Sequence, residues 1–260
     1  MEVEALREVV KLAMKKHKIY TQSKTRYLSR AVLASMFIGF GVIVAFKTGN
    51  YFYLVHSPLA YPMAALTFGS AIILIAYGGG DLFTGNTFYY TFAALRKKMA
   101  WSTVGRLWSL SYIGNIIGAA AFAFLIYTTG LFDSQNVNSF LLKVVEKKVD
   151  ASTSELFFRA ILCNWLVCLA FFIPMSLKGD GPKMFSMILF VFCFFISGYE
   201  HSIANMCTFA IAIVLYPESI NFMDVMHNLI PVTIGNLLGG GLMMAWMYHY
   251  ANDPFFEKDE

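Results

Sequence analysis

Apolar residues run through this chain in long blocks, near 31–46, 61–95, 107–129, 156–177, 183–217 and 227–250. Such blocks predict helices that cross a bilayer, whose ~30 Å hydrocarbon core takes about 20 apolar residues. Two blocks exceed that need. Residues 61–95 and 183–217 each cover 35 positions. At about 1.5 Å per residue, a straight helix of that length would reach roughly 52 Å. Both are expected to break inside the membrane.

The polar residues say where. "GGGDLFTGN" (78–86) sets three glycines, Asp81 and Asn86 inside the first long block, and "SGYEHSIANM" (197–206) sets Glu200, His201 and Asn205 inside the second. A broken helix frees backbone N–H and C=O groups, which is tolerated at membrane depth only where they are buried in protein or line a wet cavity. The breaks therefore point to a pathway.

The two halves also resemble each other. "RAVLASMFIGFGV" (30–42) matches "RAILCNWLVCLAF" (159–171), "GDLFTGN" (80–86) matches "YEHSIAN" (199–205), and "GNIIGA" (114–119) matches "GNLLGG" (235–240), at offsets of 129, 119 and 121 residues. Three matches in one order indicate a unit used twice. Three spans per unit is an odd number, so the second unit enters the membrane inverted, with the substrate path expected between the units near the midplane. The predicted fold is an all-α membrane protein of six transmembrane helices in two inverted three-helix repeats, with broken second and fifth helices. As one transmembrane domain over 1–260 it divides into an N-terminal helix (1–29), a first repeat (30–129), an extracytoplasmic loop (130–155), a second repeat (156–250) and a tail (251–260). Gly114 with Gly118 and Gly235 with Gly239 are expected to let spans three and six pack closely.

Composition agrees with the membrane reading: 58% of residues are hydrophobic and 14% charged, against about 25% charged in soluble domains. The net charge of +4 bears on orientation, not on nucleic-acid binding. Residues 1–30, 96–106, 178–183 and the C-terminal tail together hold 15 Lys and Arg, whereas 47–60, 130–155 and 218–226 hold 4. Basic loops stay inside, so both termini are expected in the cytoplasm and the chain in the plasma (inner) membrane. "VEALREVVKLAMKKHKIY" (3–20) has apolar residues at 3, 6, 9, 10, 13 and 14 and is expected to lie on the cytoplasmic interface as an anchoring amphipathic helix. No cleavable signal peptide is expected. Cys163, Cys168, Cys193 and Cys207 fall inside apolar stretches without ligand spacing, which predicts core residues rather than disulfides or a metal site.

"GGGDLFTGN", "ILCNWLVCLA" (161–170), "GYEHSIANM" and "GNLLGG" resemble the signature segments of the formate/nitrite transporter family across all six blocks, and "GGDLFTGNT" resembles its hydrosulfide channel branch. The resemblance implies an aquaporin-like protomer in a homopentamer, with a pore through each subunit for hydrosulfide, formate or nitrite. It implies His201 at the pore centre and Thr84 on a mobile loop at the first break. Leu82 with Phe194 would make the cytoplasmic-side constriction and Phe68 with Ile72 the outer one, while Lys148 and Asn164 would draw the anion in from outside; Lys147 is adjacent to Lys148. The family's "D--GK" segment appears as "GDGPK" (179–183), departing at Pro182.

The chemistry can be argued from the residues too. A ring such as Leu82 with Phe194 keeps an ion from its hydration water, so a crossing anion must be partly dehydrated or momentarily neutralised. Burial disfavours an imidazolium and an approaching anion favours it, so a central histidine suits weak-acid anions by proton transfer or strong hydrogen bonding. Thr84, Asn86 and Asn205 serve either the pore, as half-helix caps or as inter-helix hydrogen bonds, and Asp81 and Glu200 are placed to counter half-helix N-termini. The rivals are a neutral-solute channel, which would not need Lys148, an intramembrane enzyme using Glu200 and His201, and a haem protein. The last two lack, respectively, a second ligand or nucleophile at matching depth and a histidine facing His201, since His227 and His249 lie at the ends of span six. No enzyme activity and no cofactor or metal is expected.

Overall fold

The computed structural model describes residues 2–256, which form helices, turns and connections without a strand. Helix α1 (Glu2–Gln22) is followed by Ser23, whose hydroxyl accepts the Arg26 N–H and so caps α2 (Lys24–Tyr53). Helices α3 (Ala60–Phe68) and α4 (Ser70–Gly78) meet at Gly69, and α5 (Phe83–Leu95) follows after the non-helical stretch 79–82. Helix α6 (Trp101–Thr128) ends the first half. Beyond α7 (Gln135–Asp150), α8 (Thr153–Phe172) runs into a short 3-10 turn, and α9 (Asp180–Ile196) and α10 (Ser202–Leu215) flank the non-helical stretch 197–201. The chain closes with α11 (Phe222–Leu238), a π-helical stretch Gly239–Trp246 and α12 (Met247–Phe256).

Among the described residues, five helical segments are each long and apolar enough to cross a membrane: 24–53, 60–78, 101–128, 153–176 and 222–256. Both long blocks break where their glycines allow it. Gly79 ends α4 at φ 77° and Gly198 follows α9 at φ 71°, the left-handed conformation that a residue without Cβ adopts without strain. Close helix packing depends on glycine too. A Cβ on Gly118 would stand 2.2 Å from the Val32 carbonyl oxygen of α2, and one on Gly239 would stand 2.4 Å from the Ile161 carbonyl oxygen of α8.

The structure corrects three boundaries. The N-terminal helix ends at Gln22, and residues 24–29 already belong to α2. Its apolar face is not turned to lipid as expected: Leu6, Val9 and Ala13 are fully buried and pack with Phe88, Phe92 and Met244 of the protein body. The region 130–155 is mostly the amphipathic α7, because Phe140, Leu141, Val144 and Val145 recur at helical spacing and bury against the core. Asn50 secures that helix, donating to the Asn136 carbonyl at 2.7 Å and accepting the Phe140 N–H at 3.0 Å. The last helix continues to Phe256, so the expected tail begins as helix; residues 257–260 of that tail lie outside the described residues.

Candidate functional site

Each break is held by one asparagine from a neighbouring helix. Asn115 of α6 accepts the N–H of Phe83, the first residue of α5, at 3.0 Å and donates to the carbonyls of Ala31 (2.7 Å) and Asp81 (3.3 Å). Asn236 of α11 accepts the N–H of Ser202, the first residue of α10, at 2.8 Å and donates to the carbonyls of Ala160 (2.8 Å) and Glu200 (3.0 Å). Asp81 N–H reaches the Arg30 carbonyl at 3.0 Å, and Glu200 N–H reaches the Arg159 carbonyl at 3.5 Å. Residues matched between the halves by sequence thus make matched contacts, and backbone groups that a broken helix would strand are satisfied.

The N-terminal ends of α5 and α10 meet at the centre. Thr84 Oγ1 lies 2.9 Å from His201 Nε2. His201 is the N-cap of α10, its Nδ1 accepting the Ala204 N–H at 3.0 Å. This pattern assigns the neutral tautomer with the hydrogen on Nε2, which donates to Thr84. Thr84 sits within the first turn of α5, not on the mobile loop expected for it. Its carbonyl accepts from Asn164 Nδ2 at 3.2 Å, and the same amide donates to Thr87 Oγ1 (2.9 Å) and the Asn236 carbonyl (2.6 Å). Asn164 is fully buried behind the centre.

A lysine, a carboxylate and an asparagine flank each break. Lys148 Nζ of α7 approaches Glu200 Oε2 at 3.0 Å, and Asn205 Nδ2 donates to the same carboxylate and to Asn228 Oδ1 (2.8 Å). On the other side Lys16 Nζ of α1 lies 2.8 Å from Asp81 Oδ1 and donates to Asn86 Oδ1 at 2.7 Å, while Asn86 Nδ2 donates to Tyr27 Oη at 3.1 Å. Asn86 and Asn205 therefore do not cap the half-helices; their positions one turn in place them across from neighbouring helices instead. Asp81 meets Lys16 and Arg30, and Glu200 meets Lys148. Lys148 faces inward whereas Lys147 is exposed, and the described residues contain no cluster of three or more His, Cys, Asp or Glu able to hold a metal.

Three cavities line up through this region. Beside α1, one of ≈ 260 Å³ is lined by Lys16, Arg30, Lys183, Gly85 and Leu82. Leu82 also borders a central space of ≈ 10 Å³ among Ile38, Phe68, Ile72, Phe194 and His201. Phe68, Phe194 and His201 in turn border a cavity of ≈ 30 Å³ beside α7, with Tyr61, Lys148, Tyr199 and Asn205. The four expected constriction residues thus divide differently from the sequence reading: Leu82 stands alone toward α1, Phe194 pairs edge-to-face with Phe68 (centroids 6.1 Å), and Ile72 lines only the centre. A space near 10–15 Å³ holds about one water, so the centre has no room for a hydration shell.

Sequence reasoning missed Lys16, Arg30, Asn115 and Asn236. Lys16 continues the buried stripe Leu6, Val9, Ala13 at helical spacing, a signal that could have drawn it inward. Asn115 and Asn236 stood inside the matched "GN" segments, where the glycines drew the attention.

A family profile described as "Formate/nitrite transporter" matches residues 3–250. The "Uncharacterized transporter YwcJ" of Bacillus subtilis (strain 168) is 60% identical over 253 residues, 97% of this chain and 99% of its own length. A solved structure described as "FNT family ion channel" superimposes with a TM-score of 0.88 at 28% identity, covering 96% of this chain and 99% of its own. Another, "Pentameric formate channel with formate bound", gives a TM-score of 0.71 at 27% identity, covering 86% and 97%.

Proposed function

This chain belongs to the formate/nitrite transporter family, and on that premise we propose that it passes small monovalent weak-acid anions through a pore within each protomer, with His201 at the centre. Formate, nitrite and hydrosulfide are the candidate substrates, hydrosulfide being favoured by the "GGDLFTGNT" segment. The protomer is read as six spans in two inverted repeats over 30–129 and 156–250, the broken spans being α3 to α5 and α9 with α10. The assembly is read as a homopentamer, as in the similar formate channel, with both termini in the cytoplasm. The cavity beside α1 is then the inner vestibule and the cavity beside α7 the outer one.

The contact between Thr84 and His201 carries this reading. The N-termini of α5 and α10 converge there, and helix N-termini present positive potential without a charged side chain. An anion passing Leu82 on one side, or Phe68 and Phe194 on the other, loses water and meets this potential together with the Thr84 hydroxyl, which has no acceptor among the described residues. His201 orients that hydroxyl. To become an imidazolium, the ring must carry hydrogen on both nitrogens and give up the Ala204 N–H. The resting ring is therefore neutral, and a proton gained with an arriving anion is coupled to loosening of the α10 cap. Asn164 acts through Thr84, holding its carbonyl, while Lys148 stands at the outer approach.

The test is flux into proteoliposomes containing the purified protein, comparing formate, nitrite, hydrosulfide and chloride between pH 5 and 8, with His201→Ala alongside. Fast weak-acid anion flux that His201→Ala changes strongly, with chloride slow, is the expected result. Equal passage of small neutral solutes, or a variant indistinguishable from the wild type, overturns the anion pathway.

A further inference from the structure

We infer that Arg30 sets anion specificity at the inner vestibule, gripping planar two-oxygen anions such as formate and nitrite and giving no comparable grip to a spherical one such as hydrosulfide. This rests on the anion pathway proposed above, and for affinity at the inner mouth it ranks formate and nitrite over the hydrosulfide that the "GGDLFTGNT" segment favours.

The Arg30 guanidinium is held at one corner and open at the others. Its Nε donates to Asp81 Oδ2 at 2.6 Å, while its terminal amino groups have no acceptor among the described residues. The side chain is 33% exposed and lines the ≈ 260 Å³ cavity. It lies over Gly79, where a Cβ would stand 3.2 Å from Nη1 and crowd it. With Nε committed, the edge formed by the two terminal amino groups remains for a ligand. That edge matches two oxygens on one planar centre and donates two parallel hydrogen bonds to them. A single sulfur or chloride offers nothing for a fork to bracket.

Its position and surroundings suit recognition. Leu82, the constriction toward the centre, lines the same cavity, so an anion on Arg30 waits at the threshold of the pore. Lys16, Arg30 and Lys183 line the vestibule, and the one carboxylate of the buried Asp81, which pairs with the first two, leaves an excess of positive charge. The outer side is different. Arg159 occupies the matched position, and its carbonyl does the matched job at the backbone. Its guanidinium turns instead to Glu155 at 2.8 Å and is absent from the outer cavity lining. The outer vestibule offers only the point charge of Lys148, already paired with Glu200. One mouth therefore carries a fork and the other does not.

Inside-out and right-side-out membrane vesicles carrying the full chain separate the two mouths, and protein-free vesicles correct for uncharged permeation. With Arg30→Lys, which keeps the charge and removes the fork, the half-saturating formate and nitrite concentrations at the inner mouth should rise about tenfold. Those for hydrosulfide should stay within about twofold and outer-mouth values should not move. Arg30→Gln, which removes the charge as well, should raise the formate and nitrite values further and the hydrosulfide value less, and Arg159→Lys should leave all of them unchanged. A parallel shift for hydrosulfide in Arg30→Lys overturns the inference by exposing a general folding effect; so does no shift at all. Wild-type vesicles that pass none of these anions sink the pathway itself, an outcome distinct from a working pathway indifferent to Arg30.

Discussion

Single buried side chains decide whether this interior is tolerable. Asn236 has its oxygen on the Ser202 N–H and its amide on the Ala160 and Glu200 carbonyls; Ala160 lies inside α8 and keeps its helical bond, so Asn236→Ala strands the Ser202 N–H and the Glu200 carbonyl. Leaving a buried group unsatisfied costs about 1–3 kcal/mol, and we expect a lower unfolding temperature in detergent with anion flux reduced through a displaced His201. Lys148 gives a sharper test because it is one half of a buried ion pair. Lys148→Met leaves Glu200 charged without its partner and should destabilise by about 3–5 kcal/mol. The Lys148→Met, Glu200→Gln double variant should recover most of that stability while anion entry from outside stays slow. Stability and entry recovering together would sink the electrostatic role of Lys148.

At the level of helices, the breaks and the close crossings depend on each other. The non-helical stretches end α4 and α9 at left-handed glycines, and the returning α5 and α10 are secured by asparagines on α6 and α11. Those two helices can deliver their asparagines because Gly118 within α6 and Gly239 just past the end of α11 let the chain lie against the backbones of α2 and α8. In both places a methyl group would meet a carbonyl oxygen, and neither can retreat as a flexible side chain would. Overpacking of this kind costs about 1–3 kcal/mol, so Gly118→Ala and Gly239→Ala should each lower thermal stability by a similar amount. A fall in only one would show that the two crossings are not equivalent. Helix α1 belongs to the same scale. Its stripe reads as membrane-seeking by periodicity, yet the body of the protein offers it an apolar seat, and Lys16 reaches a carboxylate from there.

Across the whole molecule, the asymmetry of charge carries the proposed orientation. With the basic segments inside, as proposed, a cysteine replacing exposed Lys98 should react with a membrane-impermeant maleimide only from the cytoplasmic side of intact cells or vesicles. One replacing exposed Lys143 on α7 should react only from outside. The natural cysteines give a low background, since Cys163, Cys168 and Cys207 are buried and Cys193 is half-buried in α9. Labelling of both from one side would overturn the topology. The same asymmetry distinguishes the two cavities read as mouths, one lined by Lys16, Arg30 and Lys183 and the other by Lys148, which pairs with Glu200.

The sequence by itself determined the all-helical membrane character, the two interrupted blocks and the residue types gathered at the interruptions, because hydropathy, chain length and glycine are local properties. It also made visible the likeness between halves, in segments that match in the same order. What only the tertiary structure decided is which polar groups meet. Thr84 and His201 lie 117 residues apart, and Lys16 and Asp81 come from different helices; no periodicity encodes such a contact. The divergence of Arg30 from Arg159 is of the same kind. Both stand in near-identical "RA-L" segments, yet one finds Asp81 and an open vestibule while the other finds Glu155 one helical turn before it. A side chain's partner is set by what the fold brings within hydrogen-bonding reach, and in a low-dielectric interior that partner determines what the residue can do.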